Sequence, residues 1–112
     1  MMQFIEVIMQ NAAAATGDGA ALECVRGDGI VVATAGLQVS GTFVAGIVFE
    51  ATVDGSNWVA VQGTNLNNGA ATSTSSVAGI FRFDVAGLLK LRARIGSYTS
   101  GAVTVKAIGV QA

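Results

Sequence analysis

The most regular stretch of the chain runs from Phe43 to Val53. Its odd positions, Phe43, Ala45, Ile47, Phe49, Ala51 and Val53, are all apolar, and its even positions end in Glu50, Thr52 and Asp54. Side chains two apart share a face of a strand, so this alternation predicts a strand with one face in a core and the other in water. Asp54-Gly55-Ser56-Asn57 supplies residues that tolerate the positive φ of a tight turn, and Trp58 to Leu66 is expected to return as the second strand of a hairpin. Asn67-Asn68-Gly69 predicts another turn, and the Ser/Thr-rich run from Ala70 to Val77 predicts an edge strand. Alternation then sharpens again. Phe81, Phe83 and Val85 oppose Arg82 and Asp84; past Ala86-Gly87, Leu89, Leu91, Ala93 and Ile95 oppose Lys90, Arg92 and Arg94. Tyr98-Thr99-Ser100-Gly101 predicts a turn into a last strand, Ala102 to Val110.

The N-terminal third carries weaker patterns. Phe4 to Met9, Ala20 to Val25 and Ile30 to Thr34 are expected strands around two Gly-Asp-Gly turns, and Ala12 to Ala15 forms one helical turn at most. About eight strands with short connections predict an all-β fold, an antiparallel β-sandwich of jelly-roll type. No proline, linker or charge run divides the sequence, so a single domain over residues 1–112 is expected. Phe43, Ile47, Phe49, Phe81, Phe83, Leu89 and Leu91 are expected to share one core.

Composition adds a constraint that patterning does not. Apolar residues make up 52% of the chain and charged residues 12%, against roughly 25% charged in an ordinary soluble domain. A domain of this length has much surface for its core, so the apolar excess points to a partner's surface or a membrane. The charge-free stretch from Gly29 to Phe49 is long enough to span a bilayer. It is nevertheless interrupted by Gly36, Gly41 and Gly46, lacks a Lys or Arg anchor at either end, and in its second half alternates with a period of two. Burial against a partner protein is the expectation, not a membrane. The start, MMQFIEVIMQ, has no basic n-region, so no signal peptide is expected. Cys24 is the only cysteine; it is read as a small buried hydrophobe in a protein made in a reducing cytoplasm.

The search for chemistry returns little. The sequence has no histidine, which removes the commonest general base and metal ligand, and one cysteine excludes a zinc cluster. Phosphate-cradling loops and catalytic spacings are absent, so no enzyme, no cofactor and no metal site is expected. Arg26-Gly27-Asp28 and the aspartates Asp18 and Asp28 between glycines are read as turn chemistry, not as an integrin motif or calcium loops. Trp58 and Tyr98 are candidate sugar-stacking residues. Arg92 and Arg94, with Lys90 and Arg82, form a basic stripe that could meet an acidic partner. With a net charge of −1 the chain lacks the electrostatic footprint of a nucleic-acid binder. The terminal strands are apolar on both faces, as in a strand buried on both sides. Phe4, Ile8, Ile108 and Val110 are therefore expected at an assembly interface.

Two stretches, VSGTFVAGIVFEATVDGSNWVAV and FRFDVAGLLKLRARIGSYTSGAVTV, resemble a small β-sandwich module of tailed-phage and prophage structural proteins. The shared elements are a V-S-G-T-aromatic start, F-E-x-[ST]-x-D-G-x-x-W, a V-x-G corner, an R-x-R strand and Y-T-S-G, together covering Val39 to Val110. The resemblance implies a non-enzymatic virion protein. The shortness of the chain and its lack of a coiled-coil or collagen-like extension favour a capsid decoration (cement) protein, a homo-oligomer and by preference a trimer, docked on the major capsid protein or on other virion proteins. A tail, neck or fibre component and a carbohydrate-binding host-attachment module are the alternatives.

Overall fold

The computed structural model describes residues 4–26 and 29–111. Eleven strands are found among them: β1 (Phe4–Ala13), β2 (Leu22–Glu23), β3 (Val32–Ser40), β4 (Phe43–Thr52), β5 (Val59–Ala60), β6 (Gly63–Asn65), β7 (Ala71–Thr72), β8 (Thr74–Ser75), β9 (Gly79–Asp84), β10 (Lys90–Gly101) and β11 (Val103–Gln111). Two antiparallel sheets pack as a sandwich. One has the order β1-β11-β3-β9-β6-β7; the other has the order β2-β10-β4-β5, with β8 also paired to β4. The all-β sandwich expectation is met. Among the described residues no helix is long and apolar enough to cross a membrane.

The core lies between the sheets and follows the alternation. Ile47, Phe49, Phe81, Phe83 and Leu91 are buried as expected, with Met9, Leu22, Leu37, Val85, Ile95 and Val105. The Phe49 ring stands 5.0 Å from both Phe81 and Phe83, tilted at 50° to the first and edge-on at 69° to the second, arrangements that the ring quadrupoles favour. Phe43 is only partly buried at the rim of the core. Leu89 precedes β10, half-buried beside the turn at Gly55, and Val53 falls past the end of β4 and is exposed.

Several expected elements are cut where the chain changes sheet. Trp58 to Leu66 is not one strand. Val59–Ala60 pairs with β4, and Gly63–Asn65 then joins β9 in the other sheet. Gly63 sits flat on the Phe83 ring, where any Cβ would come within 2.6 Å of two ring carbons, so the crossing is fixed by packing. The Ala70 to Val77 strand likewise divides into β7, on β6, and β8, on β4. The helical turn allowed at Ala12 to Ala15 is absent; β1 runs on to Ala13 through two register irregularities, with Ala12 at φ 49°. The strand expected over Ile30 to Thr34 starts at Val32 and continues to Ser40, while that expected over Ala20 to Val25 shrinks to Leu22–Glu23. Tyr98 to Ser100 lies inside β10 and forms no turn.

Candidate binding faces

Two outward sheet faces carry the candidate residues. On the six-stranded sheet, inward residues of β1 and β11 (Val7, Met9, Val105, Ala107) join the core, so Phe4, Glu6, Ile8, Lys106, Ile108 and Val110 face away from it. Phe4 pairs with Val110 and Glu6 with Ile108, and the sheet continues from Ile108 to Gly36 and from Lys106 to Gln38 and then Ile80. The four residues expected at an assembly interface therefore lie together on two adjacent strands. Phe4 is 62% exposed, Ile8 and Ile80 49% and Ile108 41%. Between them a shallow hollow of about 690 Å³ opens over Gly36, walled by Ile8, Gln38, Ile80, Lys106 and Ile108. Ile80 and Gly36 were not among the expected interface residues. The signal was present for Ile80, since the Phe81/Phe83 alternation sends Ile80 outward. Gly36 is found only through its place opposite Ile108.

The other face is electrostatically closed. Across the β4–β10 ladder Glu50 sits opposite Arg92, next to Arg94. Its Oε1 accepts hydrogen bonds from Arg92 Nε at 3.0 Å and Arg94 Nε at 3.1 Å, and Arg92 Nη2 lies 2.9 Å away. Arg92 also reaches Asp18 at 3.5 Å and lays its guanidinium 4.0 Å from the centre of the Trp58 ring. Burial would raise the Glu50 carboxyl, but the hydrogen bonds and charges of Arg94 and then Arg92 outweigh it and hold it below the usual carboxylate range. This network was not expected from the sequence, because it depends on which strands are neighbours.

One reading is corrected by this geometry. The basic stripe is split: Arg82 lies on the six-stranded sheet, opposite Gly36 and Thr64, while Lys90, Arg92 and Arg94 lie on the five-stranded one. Arg92 and Arg94 are both engaged by Glu50. Arg92 covers Trp58 on the outer side, whereas Tyr98 packs toward the core opposite Ala45 and donates its hydroxyl to the Gly101 carbonyl at 2.7 Å.

The remaining chemistry is structural. Asp54 accepts hydrogen bonds from the Asn57 and Ser56 backbone N–H groups, the Asn57 amide and the Thr52 hydroxyl, which tie down the turn after β4. Those donors, the Asn57 backbone first, hold its carboxyl far below the usual range. Burial pushes the Cys24 thiol up to about 11, so it carries no thiolate at neutral pH. Among the described residues no group of His, Cys, Asp or Glu could hold a metal ion. Of the Arg26-Gly27-Asp28 tripeptide and the Asp28 turn, Gly27 and Asp28 lie outside the described residues.

Comparison with known proteins extends these observations. No curated protein matches the sequence. The solved structure of the SPBc2 prophage-derived protein YomS superposes with a TM-score of 0.87 at 26% identity, covering 99% of this chain and 96% of that one. The PBSX exported protein XepA shares the fold, with a TM-score of 0.89 at 22% identity over 98% of this chain. This chain spans 38% of XepA's length. The first of these relatives is prophage-derived, the second is an exported protein, and neither bears an enzyme's name. The XepA family model matches residues 3–109, so nearly the whole chain is accounted for and it belongs to the XepA family.

Proposed function

We propose that the protein is a non-enzymatic phage structural protein that acts by assembling, and that the outer face of β1, β11, β3 and β9 is its binding surface. The observation that carries this reading is the isoleucine-walled hollow over Gly36, on a face where Phe4, Ile8, Ile80 and Ile108 all remain exposed. Exposed isoleucines and a phenylalanine grouped around a hollow on one sheet face suit a surface that another protein covers. On the virion reading the oligomer decorates the head lattice, contacting the major capsid protein. The engaged state of Arg92 and Arg94 argues against nucleic acid as a partner.

The exported character of XepA favours a second reading, in which the same face works outside the host cytoplasm and not on the particle. One experiment separates the two. After induction of the phage, lysate is divided into purified particles, host membrane and soluble fractions, and the protein is located by immunoblot and by immunogold electron microscopy. Stoichiometric recovery with heads supports decoration. Recovery only in the soluble or envelope fractions removes the virion role.

A further inference from the structure

We propose that the open corner of the sandwich beside the Asp54 turn is a socket for one large apolar side chain of another protein, in a segment where Lys or Arg flanks that residue. The socket is separate from the outer sheet face described above, and its test does not depend on that face.

Strand parity makes the corner. The odd positions of β4 turn inward, and Ala51, the last of them, lies in the core at 4% exposure. Val59 is the partner of Ala51 across the β4–β5 ladder and shares its face. Val53 follows Ala51 two residues on. Both valines thus have the orientation of core residues, yet Val53 is 71% exposed and Val59 65%. The chain leaves β5 at Ala60 and enters the other sheet at Gly63, and no strand covers the corner behind that crossing. The connection from β9 to β10 forms the far wall. Its Leu88 packs against the core, and the next N–H, of Leu89, donates to the Thr52 carbonyl at 2.9 Å. The result is a hollow of about 300 Å³ walled by Ala51, Val53, Val59, Val61 and Leu88, with Asp54 at its lip.

The walls decide what fits. The Thr52 hydroxyl donates to Asp54 and accepts the Gly55 N–H, and Asp54 takes its other hydrogen bonds from Ser56 and Asn57. These polar groups serve the turn, so the hollow presents methyl groups. A polar occupant would lose its bonds to water there, whereas an apolar one gains by leaving water. The volume is at the lower bound of the ~300–1,000 Å³ usual for ligand pockets, and the hollow is open on one side, which suits a single Leu- or Phe-sized side chain. Charge narrows the choice further. Every donor to Asp54 is neutral, and its carboxylate makes no ion pair among the described residues. A cation next to the inserted residue is therefore attracted and an acid repelled. The same carboxylate opposes an anionic lipid surface.

The test is an array of immobilised random peptides, about twelve residues long, probed with the purified full chain. Wild type should select Leu, Ile or Phe beside Lys or Arg. Val53→Ser/Val59→Ser changes two exposed positions; it should keep the wild-type circular dichroism spectrum and lose the selected signal at least ~10-fold. Val59→Lys puts a cation at the lip and should turn the preference towards Asp or Glu beside the apolar residue. In methyl NMR, the strongest selected peptide should shift Val53, Val59, Val61 and Leu88 first. An array without a selected pattern, or a pattern that both variants retain, overturns the proposal. So does pelleting with phosphatidylglycerol vesicles that Val53→Ser/Val59→Ser abolishes, which would assign the corner to lipid. A smaller sedimentation coefficient for that variant than for wild type would assign it to a second copy of the chain, with the same consequence.

Discussion

Phe83 is held on two sides, by the edge-on Phe49 ring and by the bare backbone of Gly63. Phe83→Ala removes the ring from a site that cannot collapse without moving β6, and should cost about 3–5 kcal/mol in a urea titration. Glu50 gives a pH signature. Its side chain is 12% exposed and its carboxyl is held low by two arginines. A carboxyl depressed in the folded state contributes stability that is complete above its unfolded value, near 4.5, and is lost as pH falls through the folded one. Melting temperature should therefore drop as pH is lowered below about 4.5, and Glu50→Gln should flatten that slope while lowering stability at neutral pH. At this scale the sequence was half legible. Alternation alone sends Phe81 and Phe83 inward and Arg92 and Arg94 outward, but nothing local reveals that Arg92 lies between Glu50 and Trp58.

Among the elements, the chain passes between sheets at two corners that pack back to back. β3 leads into β4 through Gly41-Thr42, and β10 leads into β11 through Gly101-Ala102; the Ala102 N–H donates to the Thr42 carbonyl at 3.1 Å. Gly41 and Gly101 have φ of 112° and 88°, and a Cβ on either would run into the other corner's backbone. Gly101→Ala therefore combines the cost of positive φ, about 1 kcal/mol, with a collision that backbone must relieve. The expected result is a loss of about 2–4 kcal/mol, read from the urea midpoint, with faster amide exchange at both corners. These corners also explain why the elements were less legible than the fold class. Periodicity reports that a residue is extended and which way it points, and it is silent about which sheet the strand joins. Trp58 to Leu66 therefore reads as one strand, although its halves pair with β4 and with β9.

Over the whole molecule the two outer faces differ in how far they satisfy themselves. On the five-stranded sheet Glu50 balances Arg92 and Arg94, and Trp58 is capped, although Val44 on the same face stays 58% exposed. On the six-stranded sheet isoleucines stand in water around a hollow, with Glu6, Lys106 and Arg82 outside any ion pair among the described residues. The apolar excess in the composition gave the expectation of a covered surface, and the double-sided apolar pattern of the first strand pointed to Phe4 and Ile8. The contribution of β3 and β9 to that surface emerged only from strand order. This division separates stability from function in one variant. Phe4 and Ile8 are 62% and 49% exposed and lie outside the core, so Phe4→Ser/Ile8→Ser should change folding free energy by no more than about 0.5–1 kcal/mol. The same variant removes two apolar anchors per copy from the proposed surface, where hot spots cluster and truncation commonly costs 1–2 kcal/mol or more. Its association should weaken by at least tenfold, on the order of 1.4 kcal/mol, in sedimentation at a temperature where circular dichroism shows it fully folded. A variant that melts far below wild type would mean that these side chains support the fold. One that associates as tightly as wild type would mean that the surface lies elsewhere.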